Sequence, residues 1–277
     1  MTATSTPEHL DPSALGTKSY WDDIYTREQT NLETNPEDVG TIWFSDAEAE
    51  EKMLEFLENL DDEDTLRKTG SSDDDDNQTN TATSFLDLGT GNGHLLVALR
   101  QEGWRGRMLG VDYSEESVRL AKNVWEKAMS AAREACKNDA PQEEWGMIDL
   151  EGDENERMLI EDISFTRWDL LKESAGEWLL DGFDVVLDKG TFDAISLSDE
   201  KDERGRRVFE GYRERVEPLI KAGGRLLITS CNWTEGELRG WMEGGELEYE
   251  DKVRYPTFTF GGKSGSQVVT LCFRKRQ

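Results

Sequence analysis

The chemistry legible in this chain sits on a glycine turn and a series of aspartates spaced along it. The stretch FLDLGTGNGHL, Phe85 to Leu95, joins a short apolar run to glycines at 89, 91 and 93. Apolar residues then resume at helical spacing at Leu95, Leu96 and Leu99. Glycines in such a turn let the backbone bend sharply and approach a ligand closely. A dinucleotide fingerprint reads G-x-G-x-x-G, with the helix N-terminus on a pyrophosphate. Here the spacing is G-x-G-x-G, and Asp87 stands two residues before the first glycine. A carboxylate suits an ammonium group better than a pyrophosphate. S-adenosylmethionine carries that ammonium and no phosphate, so the methyl donor is favoured over NAD. Asp112 closes the apolar run Met108 to Val111 and follows Gly93 by 19 positions, near the roughly 20-residue spacing of a ribose-binding carboxylate. An ordinary strand-to-helix turn would explain the glycines alone, and a solvated acid would explain either aspartate alone. Their order and spacing together point to a cofactor pocket.

The elements that must position these residues alternate between the two periods of regular structure. Strands are expected at 85–89, 107–112, 163–168, 182–188 and 225–231, with helices at 93–102, 115–137, around 204–220 and from Thr234. Ser114-x-x-Ser117 is a weak capping box for the second helix, supported by Glu115 and Glu116 in its first turn. This alternation predicts an α/β fold, Rossmann-like, with a mostly parallel doubly wound sheet and helices on both faces. Residues 246–275 hold two β-rich runs without an intervening helix, and so predict an antiparallel hairpin at the edge of the sheet. Upstream, SYWDDIY at 19–25 reads as a short helix. GTIWF at 40–44 leads into Ser45 as an N-cap and an amphipathic helix with Met53, Leu54, Leu57 and Leu60 as its stripe.

Ligands of open α/β sheets bind beyond the carboxyl ends of the strands, so the first residue after each strand is a candidate. These positions give Gly89, Thr90 and Gly91, then Asp112 and Tyr113, then Asp169 and Leu170, then Asp188 to Phe192. Asp169 could accept a hydrogen bond from an adenine amino group, with Tyr113 and Leu170 flanking the ring. Capping a helix after Trp168 would explain it nearly as well. Asp188 could orient an amine, and Phe192 either walls the pocket or packs in the core.

Composition bounds the rest. The 277 residues carry a net charge of -28, which argues against nucleic acid as the main partner and favours a basic protein. Residues 61–84 contribute -6 and residues 138–162 contribute -9. Both segments lack apolar periodicity and are expected as mobile acidic insertions. Cys136, Cys231 and Cys272 form no C-x-x-C pair, and His9 and His94 are the only histidines. Neither a metal site nor a disulfide framework is therefore expected, and a reducing cytoplasmic compartment fits. No targeting segment or membrane span is evident. The expected organisation is a disordered tail at 1–16, a helical cap or lid at 17–60, the acidic insertion at 61–84, and the main domain at 85–277 interrupted at 138–162.

YWDDIY, FLDLGTGNG, GVDYS at 110–114, DVVLDKGTFDAISL at 184–197, LLITSCNWT at 226–234 and FTFGGKSGSQV at 258–268 together resemble the seven-strand lysine methyltransferases of elongation factor 1-alpha. The segments span most of the chain; DKGTFDAISL and SCNWT are the specific ones. The family usually carries an acid and a following glycine in G-E-x-W-F-G, where this chain has Thr41 and Ser45. The resemblance implies an S-adenosylmethionine-dependent protein-lysine N-methyltransferase acting on elongation factor 1-alpha and releasing S-adenosylhomocysteine; the chain itself is expected to act as a monomer. It also implies a lid bearing Trp43 and Phe44 that closes over donor and lysine. Trp43, Phe192 and Trp233 would then desolvate the amine, Asp188 would orient it, and Asn232 would assist through its side-chain carbonyl. A small-molecule methyltransferase, a catalytically silent cofactor-binding module and a nicotinamide oxidoreductase are the alternatives.

Overall fold

Strands β1 (Phe85–Leu88) and β4 (Phe183–Lys189) are apolar on both faces, as central strands of a helix-covered parallel sheet must be. The computed structural model describes residues 9–70, 82–137, 163–256, 258–260 and 263–277. With β2 (Met108–Asp112), β3 (Ile163–Arg167), β5 (Ile220–Ser230), β6 (Leu247–Lys252) and β9 (Val269–Lys275), they build a seven-stranded sheet of order β3-β2-β1-β4-β5-β9-β6. The order reverses between β1 and β4, which places a crevice beyond their carboxyl ends. Only β9 runs against the others, because it inserts antiparallel between β5 and β6. The expected terminal hairpin therefore exists, with the outermost strand β6 parallel to the rest. Its connection carries a separate two-stranded ribbon, β7 (Phe258–Phe260) with β8 (Lys263–Gly265).

The period-2 alternation of strand side chains splits the interior into two layers. Phe85, Val185, Leu187 and Leu227 face α1 (Lys18–Thr34), α2 (Ala49–Asp62), α3 (His94–Gln101) and α4 (Glu115–Lys137). Leu86, Leu88, Val186 and Ile228 face α5 (Thr191–Ser196), α6 (Tyr212–Val216) and α7 (Glu235–Met242). Ser114 Oγ accepts from the Ser117 amide at 3.4 Å, but Ser117 Oγ donates to Gly91 O at 2.9 Å and the Ser114 amide to Asp112, so only half of the expected capping box forms.

Several local expectations give way to packing. The helix from Ser19 extends to Thr34, burying Tyr25, Glu28, Gln29 and Leu32. Ser45 is not an N-cap: it opens a 3-10 turn between Phe44 and Glu48, both left-handed, and α2 starts at Ala49. The helix expected around 204–220 breaks into α6 flanked by 3-10 turns, with Pro218 inside the second. Residues 9–16, expected as part of a disordered tail, are packed down. Ser13 donates its amide to Leu197 O at 3.0 Å, and Arg207 donates to Leu10 O at 2.6 Å. Of the acidic stretches, 71–81 and 138–162 lie outside the described residues. The flanks of the first are tied together, with Leu66 buried and the Thr83 amide donated to Arg67 O at 2.9 Å. Among the described residues no helix is long and apolar enough to cross a membrane.

Candidate functional site

The glycine turn leaves β1 at the sheet's reversal point and roofs one end of a cavity of about 250 Å³. Gly89 takes φ 62°, and a Cβ there would lie 2.2 Å from Thr191 Oγ1, whose hydroxyl donates to Leu88 O at 2.6 Å. The first glycine therefore exists to let β1 and α5 close on each other. The third, Gly93, serves packing: a Cβ there would meet the Phe165 ring at 2.8 Å and Ala121 at 2.9 Å.

Asp87 and Asp112 reach the cavity from neighbouring strands, and both are buried. Thr90 Oγ1 donates to Asp87 Oδ2 at 2.7 Å, and among the described residues Asp87 forms no ion pair. Burial raises its pKa to about 7, against the lowering effects of Thr90 and Lys189. Asp112 accepts from the Gly91 amide at 3.2 Å and from the Ser114 amide at 2.9 Å. Burial raises its pKa to about 6. A buried carboxylate short of donors suits a ligand ammonium, and a carboxylate with one backbone amide on each oxygen keeps lone pairs for a ligand's hydroxyls. The residues present thus fit a nucleoside ligand with a cationic amino-acid arm.

Thr90, Tyr113, Asp169 and Leu170 line the same cavity. Asp169 Oδ1 accepts from the amides of Leu171 at 3.0 Å and Lys172 at 3.2 Å, so it caps a turn after Trp168 in place of the expected helix.

At the other end the structure divides the residues expected to handle the amine. Trp43 and Asn232 line the cavity, whereas Asp188, Phe192 and Trp233 lie behind it, buried. Asp188 does not offer its carboxylate to a ligand. Its Oδ1 accepts the Thr191 amide at 2.7 Å, and its Oδ2 accepts the Phe192 amide at 2.9 Å together with the Tyr212 hydroxyl. Burial raises its pKa to about 7. Phe192 packs its ring 5.0 Å from Tyr212 and 6.1 Å from Trp233, as part of the core. Of the two aspartates in DKGTFD, the one on the cavity wall is instead Asp193. It accepts Ser230 Oγ at 2.5 Å and the Cys231 amide at 2.8 Å, and Ser230 Oγ in turn accepts the Asn232 amide at 3.1 Å. Asp193 thereby holds the SCNW turn that presents Asn232.

Other wall residues come from segments far apart in the chain: Phe44 and Lys189 fall within the expected lid and the expected Asp188–Phe192 set, respectively, whereas Trp21, Tyr25 and Asn92 escaped the sequence as wall residues. Trp21 and Tyr25 enter from α1, and Phe44 and Lys189 meet at the end of β4, where the Phe44 ring lies against Gly190 and Lys189 donates to Trp43 O. Asn92, inside the glycine turn, donates to Val39 O at 3.0 Å and Thr41 O at 3.4 Å, drawing the 39–48 strap over the cavity. Thr41 also donates its amide to buried Glu28 at 2.9 Å, so an acid reaches this position from α1 although the strap carries none at residue 41. Glu50 and His94, beneath the strap, are 2.5 Å apart. The signal for Asn92 and Lys189 was their place inside GNG and DKG; nothing marked Glu50.

Residues 79–145 match a methyltransferase-domain family. A Saccharomyces cerevisiae protein-lysine N-methyltransferase, EFM4, is 38% identical over 267 residues, covering 96% of this chain and 97% of the relative. The Homo sapiens EEF1A lysine methyltransferase 2 is 33% identical over 265 residues, covering 95% and 88%. Among solved structures, a TehB-like S-adenosylmethionine-dependent methyltransferase from Corynebacterium glutamicum aligns with TM-score 0.50 at 16% identity, over 92% of this chain and 98% of that one.

Proposed function

The chain belongs to the protein-lysine N-methyltransferases that use S-adenosylmethionine, and from that premise we propose that it methylates a lysine of translation elongation factor 1-alpha. The substrate reading is supported by relatives named for that factor, which align over nearly the whole chain, and by a charge of -28 that attracts a basic protein. The observation that carries the donor site is the pair of buried carboxylates, Asp87 and Asp112, set on adjacent strand ends around the glycine turn.

When bound, the donor supplies a sulfonium methyl with its leaving group already built in. Asp87 would hold the ammonium of the donor's amino-acid arm, and Asp112 would accept hydrogen bonds from the ribose hydroxyls. Tyr113 and Leu170 would flank the adenine, with Asp169 as the acceptor for its amino group. Trp43 and Phe44 exclude water from the incoming lysine, whose usual pKa of about 10.4 must fall for the neutral amine to attack. Asn232 offers its side-chain carbonyl to that amine, and Asp193 keeps it at the cavity wall. Alignment and desolvation do the work, and no described residue is assigned the role of an obligate base.

The test is mass spectrometry of purified elongation factor 1-alpha after incubation with the protein and S-adenosylmethionine. One new methylated lysine, absent with Asp87→Ala, is the expected result; an unmodified factor would remove this substrate. We also place the enzyme in the cytoplasm, on the strength of its cysteine usage, and propose that it acts as a monomer. Fractionation and sedimentation equilibrium test those two points.

A further inference from the structure

Glu50, the second residue of α2, is buried, yet none of the roles above uses it. Its Oε1 lies 2.5 Å from His94 Nδ1, at the start of α3, and its Oε2 lies 3.6 Å from Lys189 Nζ, at the end of β4. Burial alone would raise its pKa; His94 and Lys189 hold it below the ordinary value, so the carboxylate is charged. Lys189 Nζ also donates to Trp43 O at 3.1 Å. On the same side the Phe44 ring rests against Gly190, where a Cβ would stand 3.0 Å from it. One buried carboxylate thus joins the strap, the turn after β1 and the end of β4. Trp43, Phe44 and Lys189 line the cavity, whereas Glu50 and His94 do not.

We infer that Glu50 is a positioning residue for the lysine-accepting end of the site: it anchors Lys189, whose ammonium grips the Trp43 carbonyl and keeps the Trp43–Phe44 strap seated on the cavity mouth. Removing a partner from a buried ion pair leaves the other charge uncompensated, so the strap should loosen whichever end of the link is cut. The consequence for substrate rests on the methyltransferase reading above; the consequence for the strap does not.

The experiment compares Glu50→Gln, Lys189→Met, the double variant and Lys189→Arg by hydrogen exchange. The amides of Ser45, Ala47 and Ala49, bonded within the strap, are the reporters. Each single variant should exchange about tenfold faster at 39–49, the double no faster than either single, and Lys189→Arg close to the parent. With elongation factor 1-alpha, Glu50→Gln should raise KM about tenfold and leave the donor Kd within about twofold. Strap exchange at the parent rate in Glu50→Gln, additive acceleration in the double, or acceleration spread evenly over the chain would overturn the inference. A parent enzyme inactive on elongation factor 1-alpha counts against the substrate alone, since the exchange result stands without it.

Discussion

Tyr212 donates its phenolic hydroxyl to Asp188, and this contact turns the carboxylate at the end of β4 into the core instead of the cavity. Replacing Asp188 by Ala strips the acceptor from the Thr191 and Phe192 amides and from that hydroxyl. Each buried polar group left unpaired costs about 1–3 kcal/mol. Urea denaturation of Asp188→Ala should therefore show a loss of roughly 3 kcal/mol or more, with the donor Kd of the folded fraction unchanged. A variant as stable as the parent but without turnover would put Asp188 back among the residues that touch substrate.

Asp87 gives the donor site a pH dependence. Its pKa of about 7 leaves the carboxyl largely protonated in the free enzyme at pH 6. The donor's ammonium favours the ionised form, so binding below pH 7 must release a proton. Calorimetry should show the donor Kd rising about tenfold per pH unit below 7, levelling off above it, with proton release seen as a dependence on buffer ionisation enthalpy. Asp87→Asn should bind weakly at every pH and lose the slope. A pH-independent parent would remove Asp87 from the ammonium site.

The architecture was legible because it rests on local signals. Alternating apolar runs, glycines in a turn and an acid closing each strand all act within about 20 residues. The division of labour at β4 was not legible. DKGTFD offers two aspartates five positions apart, Asp188 and Asp193, and either could face the ligand. The choice is made by Tyr212, Ser230 and the Cys231 amide, each more than 20 residues away in the chain. Glu50 was silent for a related reason. It sits in AEAEEK, where neighbouring acids are solvated, and only the return of His94 and Lys189 beneath the strap makes it buried and paired. Trp43 and Asn232 were found through motif resemblance, and both do line the cavity.

Gly89 tests the closeness of β1 and α5. Alanine there meets Thr191 Oγ1 at 2.2 Å and must hold φ 62°, so two separate penalties add. Gly89→Ala should lower stability by about 2–4 kcal/mol. Thr191→Ala in the same chain removes the two nearest atoms, Oγ1 and Cγ2, but leaves the Cβ at 3.1 Å and the backbone strain and loses the bond to Leu88 O, so it should recover only part of that loss. Thermal unfolding of the three variants decides it; full recovery would mean that the left-handed backbone costs nothing here.

Asp193 differs from its neighbour Asp188 in facing the cavity, and its carboxylate grips the turn that carries Asn232. Asp193→Ala frees Ser230 Oγ and the Cys231 amide, and with them the turn that sets Asn232 beside the amine. Misplacing such a group by about 1 Å can cost on the order of a hundredfold in rate. The expected pattern is a fall of about 10² in kcat with elongation factor 1-alpha and a donor Kd within about threefold of the parent, because the donor's carboxylates sit on β1 and β2. Asn232→Ala in the Asp193→Ala background should then add little, since the two act through one turn. Independent, multiplying losses from the two substitutions would show that Asp193 touches the substrate itself.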